Sequence, residues 1–224
     1  MNHNGSSARD TIPDVIYNRE NIYEGDLVHY FRAVFEYARN LSLPYHNFRH
    51  MLHVTRLCYG ACKFYGMHEL HPRERRNLLI AALFHDFDHT GRAGPDRINI
   101  AQAIRGFERH CFSADREYLP RVIDIIQATE WPRAKLARGY PLPELILRDA
   151  DSAQGLDPAW IQQTIFGLAA EWGKSPLDLL KGQPEFIAGL RFQTSWAKHR
   201  FPQRLIDARV AEACELLALL GVKA

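Results

Sequence analysis

A chain of 224 residues with 28 basic against 26 acidic side chains has a net charge of only +2, so it has no general electrostatic drive toward nucleic acid or an anionic membrane. Its 46% hydrophobic and 24% charged residues are ordinary for a globular protein, and the length suits one domain with a substantial core. No apolar run approaches a membrane span, and the polar start Met1–Asp10 lacks the apolar stretch of a signal peptide.

Residues 1–14 are expected to be a disordered tail and 15–224 a single compact all-α domain, because helical spacing dominates and no period-two alternation is sustained. Asp26 can cap a first helix carrying Val28, Phe31, Val34, Phe35 and Ala38. A second helix is predicted over 47–65 with Asn47 as its cap. A third starts at Pro72 and runs to His85-Asp86. Further helices are expected over 96–110, 120–130, 143–152, 158–172, 184–198 and 202–220, with Asp157 capping the one that opens at Pro158. The stretch Trp131–Pro143 reads as the longest loop and a candidate cleft rim. Cys58 and Cys62 lie one turn apart and read as small core residues; with Cys111 and Cys214 they form no zinc-ribbon or CxxC pattern. Free thiols fit a reducing, cytoplasmic compartment. Arg73, Arg75 and Arg76 read as a solvated helix face.

The chemistry concentrates in two short segments. Tyr45-His46-Asn47-Phe48-Arg49-His50 is followed, 35 residues after His50, by His85-Asp86-Phe87-Asp88-His89. His46 and His50 would share a face if both lay on one helix. His85-Asp86 closes the apolar run Leu78–Phe84, where a charge-bearing pair is costly unless paired or metal-bound. Imidazole and carboxylate together suit zinc, manganese, iron or magnesium rather than a thiolate metal. A later Asp149-Ala150-Asp151 supplies a further carboxylate, with both aspartates competing for the place.

In this order the segments resemble the HD-domain metal-dependent phosphohydrolases, and most of all the 3',5'-cyclic nucleotide phosphodiesterase catalytic domain. Tyr45-His46-Asn47-x-x-His50 and His85-Asp86-x-x-His89-x-Gly91 resemble that family's two histidine signatures. The run Val122–Glu130 is similar to its helix ending Ala-Thr-Asp, with Glu130 in place of the Asp. Ala150-Asp151-Ser152 is similar to its last metal motif, and Gln183-Pro184-Glu185-Phe186-Ile187 to its Gln-x-x-Phe-Ile. Ile98-Asn99-Ile100 departs from the family's Glu-Asn-His, and the chain is shorter than the usual catalytic domain.

The resemblance implies an HD/phosphodiesterase-like fold and a set of roles. His50, His85, Asp86 and Asp151 would ligate the first of two divalent ions (Zn, Mn, Fe or Mg), with Asp86 as the bridge. Bound hydroxide would be the nucleophile, since a metal lowers the pKa of its water from about 15.7 to near 7. His46 would be general acid, oriented by Glu171; His89 and Glu130 would support the ligands; Gln183 and Phe186 would hold the base. The implied substrate is a small-molecule nucleotide, with no nucleic-acid or membrane partner, and the oligomeric state stays open. The alternatives are an HD-type 5'-nucleotidase or other phosphomonoesterase, and a non-catalytic nucleotide-sensing module.

Overall fold

The computed structural model describes residues 13–93, 96–131 and 139–222. Most of the expected tail and most of the 131–143 loop lie outside those residues. Among the described residues all regular structure is helical: α1 Val28–Tyr37, α2 Phe48–Phe64, α3 Pro72–Phe84, α4 Arg97–His110, α5 Leu119–Gln127, α6 Leu142–Ser152, α7 Gly167–Trp172, α8 Pro176–Ala188, α9 Ser195–Arg200 and α10 Gln203–Leu219.

Local chemistry explains where these helices begin. Asn47 Oδ1 accepts the N–H groups of Arg49 (2.9 Å) and His50 (3.2 Å), so α2 starts one residue after it. Pro72 occupies the first turn of α3, where its missing N–H is harmless. The third helix ends at Phe84, one residue before the His85-Asp86 pair, and α5 ends at Gln127 rather than Glu130.

Two expected helices are drawn differently. The 158–172 segment is a turn at Asp157, a π-helical stretch Ile161–Phe166 and then α7, preceded by a 3₁₀ turn Ala153–Leu156. The helix expected from Pro184 begins instead at Pro176, where Ser175 Oγ accepts the Asp178 N–H at 3.1 Å. Pro184 lies inside α8, which gives up one backbone bond there and ends before Gly189. The chain then breaks before α9, whose cap is Thr194.

Helix α3 is the axis of the molecule. Every residue from Arg75 to Phe84 is buried, and α1, α2, α4, α5 and α6 all pack against it. Each of its fully buried large apolar side chains contributes about 1.5–3 kcal/mol. Cys58 and Cys62 are wholly buried in this larger core. A smaller cluster of Trp160, Ile165, Leu168, Ala169, Leu179, Leu180, Ala213 and Leu217 joins the π-helical stretch, α7, α8 and α10.

The arginines of α3 overturn the solvated-face expectation. Arg75 donates to the carbonyls of Leu70 (2.7 Å), Tyr65 (2.8 Å) and Ile22 (3.2 Å). Arg76 makes a bidentate pair with Asp115, both bonds 2.8 Å, and reaches the carbonyls of Glu24 and Asp26. Arg73 also donates to Asp115. The planar guanidinium fork can satisfy several fixed acceptors at once, so the segment before α1 is stitched to α3 by buried arginine.

Close to the end of α3 the packing is at its tightest. Helix α4 passes Phe87 so nearly that a Cβ on Gly106 would fall within the contact distance of the Phe87 ring. Phe87 is fully buried and stacks on Phe84 at 5.2 Å.

Candidate metal centre and adjoining cavities

Four side chains from three helices meet at the end of α3. His50 Nε2 lies 3.3 Å from both Asp86 Oδ2 and Asp151 Oδ1. His85 Nε2 lies 3.3 Å from Asp86 Oδ2, 3.6 Å from Asp151 Oδ1 and 3.3 Å from His50 Nε2. His50 comes from the first turn of α2, His85 and Asp86 from the end of α3, and Asp151 from the last turn of α6.

The two imidazoles are turned by bonds on their far sides. His85 Nδ1 is 2.8 Å from the Ala82 carbonyl, and His50 Nδ1 is 3.2 Å from Gln154 Oε1. Oxygens of this kind only accept, so the neutral rings carry hydrogen on Nδ1 and aim an Nε2 lone pair into the cluster. Asp86 Oδ2 is buried with no hydrogen-bond donor. Such an oxygen, faced by two lone pairs, fits a cation and little else.

The electrostatics point the same way. Burial opposes charge on His85, yet Asp86 and Asp151 outweigh it and lift its pKa well above the usual imidazole value. Burial likewise opposes ionisation of both aspartates, but the imidazoles hold their carboxyls below the ordinary range. His50, His85 and Asp151 form one group able to hold a metal ion, and Asp86 adjoins it.

Asp149 is committed elsewhere. It is buried on α6 and accepts the backbone N–H of Gln193 and Thr194 and the Thr194 hydroxyl, which fixes the start of α9. The structure thus brings Asp151, and not Asp149, to the cluster.

His46 lies one residue before the α2 cap, off the helix, so it does not share a helix face with His50 as the spacing suggested. Its ring still comes within 6.0 Å of the His50 ring. The connection is made by Glu171 on α7, whose side chain is 1% exposed. Glu171 Oε1 is 2.5 Å from His46 Nδ1, and Oε2 accepts the N–H of Tyr45 (2.9 Å) and of His46 (3.0 Å). Burial lowers the His46 pKa, but Glu171 and Asp86 more than compensate and raise it. His89 stacks on His46 with centroids 3.7 Å apart. Its Nδ1 accepts the Gly91 N–H, and burial holds its pKa at about 4. Gly91 has φ +68° and its Cα faces Leu43, so no side chain suits that position.

Glu130 is not brought to the site. Helix α5 ends early, and the turn after it buries Thr129 toward the cavity while Glu130 points outward, into a different surface hollow. Two other residues carried no motif signal. Asn40 donates to the carbonyls of His46 (2.6 Å) and Asp86 (2.8 Å), tying the two segments together. Asp96, expected only to open a helix, lies on the cavity wall and accepts the Trp131 N–H at 2.8 Å.

The cluster opens into a cavity of about 260 Å³ that also touches His46, His89 and Phe186. A second cavity, of about 500 Å³, shares Tyr45, Asp151, Ser152, Trp172 and Phe186 with it and is lined further by Gln183 and Thr164. Gln183 is buried, and its Oε1 has no partner. Phe186 is 43% exposed. No helix among the described residues is long and apolar enough to cross a membrane.

Residues 45–104 match the family model for 3'5'-cyclic nucleotide phosphodiesterase. No curated protein matches the chain. The matched stretch contains His46, His50, His85, Asp86 and His89; Asp151, Glu171, Gln183 and Phe186 lie beyond it and join the cluster or its cavities only in three dimensions. Over residues 45–104, within an all-helical frame, the chain is thus similar to the 3'5'-cyclic nucleotide phosphodiesterase family.

Proposed function

We propose that the protein hydrolyses a 3',5'-cyclic purine nucleotide in a reaction that depends on divalent metal, with His50, His85, Asp86 and Asp151 as the ligands. The observation that carries this reading is the convergence of two Nε2 lone pairs on an unsatisfied Asp86 oxygen, with the Asp151 carboxylate within 3.6 Å of both rings, beside a His46–Glu171 dyad. A divalent ion held there would neutralise charge at phosphorus and acidify a water molecule. Asp86, with two oxygens to share, suits a bridge to a second ion, and magnesium or manganese suits that more hydrated position.

The remaining work falls to the chain. Water adds to phosphorus, one ribose P–O bond breaks, and the departing oxygen needs a proton. Glu171 holds hydrogen on His46 Nδ1, so the proton to be given sits on Nε2. The same carboxylate fixes the backbone N–H groups of Tyr45 and His46, which keeps the ring on the cavity wall. His89, neutral at about pH 7, packs flat on His46 and limits its rotation. The unpartnered Gln183 amide oxygen and the exposed face of Phe186 suit a purine: the amide reads an edge and the ring stacks on a face.

The test is a substrate panel assayed with Mg²⁺, Mn²⁺ and Zn²⁺: 3',5'-cyclic purine nucleotides, 5'-monophosphates and an aryl phosphodiester. Ring opening of the cyclic nucleotides with added metal is expected. Activity confined to 5'-monophosphates would move the function to a nucleotidase, and binding without turnover would make it a nucleotide sensor.

A further inference from the structure

We propose that Gln154 is a positioning residue of the metal centre, setting the tautomer of His50 through an amide chain that ends in the π-helical turn. The inference deepens the metal reading above and rests on it for its consequence, not for its geometry. Gln154 is buried in the 3₁₀ turn that follows Asp151, 104 residues from His50 in sequence. Its Oε1 faces His50 Nδ1 at 3.2 Å, while its Nε2 donates to Gln163 Oε1. Gln163 belongs to the π-helical stretch Ile161–Phe166. Such turns are rare and occur disproportionately at functional sites.

The polarity of this chain decides what His50 presents to the cluster. With the carbonyl toward His50, Nδ1 must carry the hydrogen, and Nε2 turns a lone pair toward Asp86, Asp151 and His85. With the amide reversed, its NH₂ would face Nδ1, the ring hydrogen would move to Nε2, and that hydrogen would occupy the place of a cation. Gln163 Oε1 opposes the reversal, because two carbonyl oxygens would then meet without a hydrogen between them. His85 receives the same instruction from a backbone carbonyl, which cannot flip. His50 receives it from a side chain, so it needs the second amide.

The experiment compares Gln154→Leu, which removes the acceptor at similar size, with Gln154→Glu, which keeps one. Zn²⁺ or Mn²⁺ affinity is measured by competition with a chromophoric chelator, and ¹⁵N shifts of His50 are recorded in metal-free protein across a pH series, with the tautomer read at its alkaline end. Gln154→Leu is expected to weaken metal binding about 10–100-fold, the usual effect of losing such a partner, and to populate the second His50 tautomer. Gln154→Glu is expected to retain the Nδ1–H tautomer and most of the affinity. An unchanged tautomer in Gln154→Leu would overturn the proposal, as would equal affinity losses in both variants with no tautomer difference between them. If Gln154→Leu does not fold, Gln163→Met serves instead: a mixed tautomer supports the amide chain, and a pure one overturns it. Absence of metal binding in the parent would defeat the metal reading alone, since the tautomer is read without metal.

Discussion

His50, His85, Asp86 and Asp151 stand on α2, at the end of α3 and on α6, whose core residues belong to the larger cluster, whereas Glu171 and Gln183 stand on α7 and α8 beside the smaller one. The first region holds charge in fixed positions, because each ligand sits at the end of a helix buried on its inner face. The second region carries Glu171, the partner of His46, and the wall of the larger of the two cavities. The family match at 45–104 falls almost wholly in the first region. The proposed metal chemistry and the proposed substrate fit thus rest on separate packing units, and they should fail separately.

The strongest way to break this division is Asp86→Ala. Loss of bound metal and of essentially all hydrolysis is expected, with helical circular dichroism retained, because the side chain serves the cluster and not the core. Metal retained together with full activity would remove the first region from the chemistry.

His46→Ala tests the join between the regions. Metal should stay bound while turnover falls ~10²–10⁴-fold, the usual loss with a general acid. The deficit should shrink on an aryl phosphodiester, whose leaving group needs little protonation. If His46→Ala empties the metal site, the two regions are not separable there.

Gln183→Ala probes the second region alone. The expected effect is a rise in KM for the cyclic nucleotide of up to about 10-fold, in keeping with one neutral hydrogen bond. The aryl diester should be unaffected, and equal losses on both substrates would place Gln183 in the fold rather than in recognition.

The most local effect is on pH dependence of stability in metal-free protein. Burial holds His89 at about 4, while an unfolded histidine takes up its proton near about 6.5. Between those values the unfolded chain binds a proton that the fold refuses, so stability falls as pH drops through the window and the His89 contribution levels off below it. The slope from this group is at most about 1.4 kcal/mol per pH unit. Denaturant titrations of His89→Asn should show a shallower fall over the same range.

What the sequence made legible was the part with local grammar. Asn47 before His50, and Pro72 before a long apolar run, announce helix starts and put the first three ligands at their ends. Spacing misled at His46, because a helix cap intervenes, and at Glu130, because α5 ends one turn sooner than its apolar pattern suggests. Pro184 looked like a helix start, yet the stronger signal was Ser175-Pro176. Asp149 and Asp151 both offered a carboxylate; the Ala150-Asp151 frame favoured Asp151, and in the structure Asp149 is spent on the start of α9. Asn40 and Gln154 were invisible, since an amide that bonds residues 46 and 104 positions away leaves no local pattern. Arg75 and Arg76 were misread for the same reason, because their acceptors are backbone carbonyls, which every residue has, and a carboxylate 39 positions away.

Gly106 carries a consequence for how this chain can change over generations. Its place against Phe87 leaves room for a hydrogen and nothing larger, and Phe87 is the immediate neighbour of Asp86. A methyl group acquired at 106 would push on the ring, and through it on the carboxylate next door, without itself touching the cluster. Positions 87 and 106 are therefore free to drift only as a pair, a larger residue at one requiring a smaller one at the other. A lineage that lost this glycine first would have to shift the ring beside Asp86 while every proposed ligand in its sequence still read as intact.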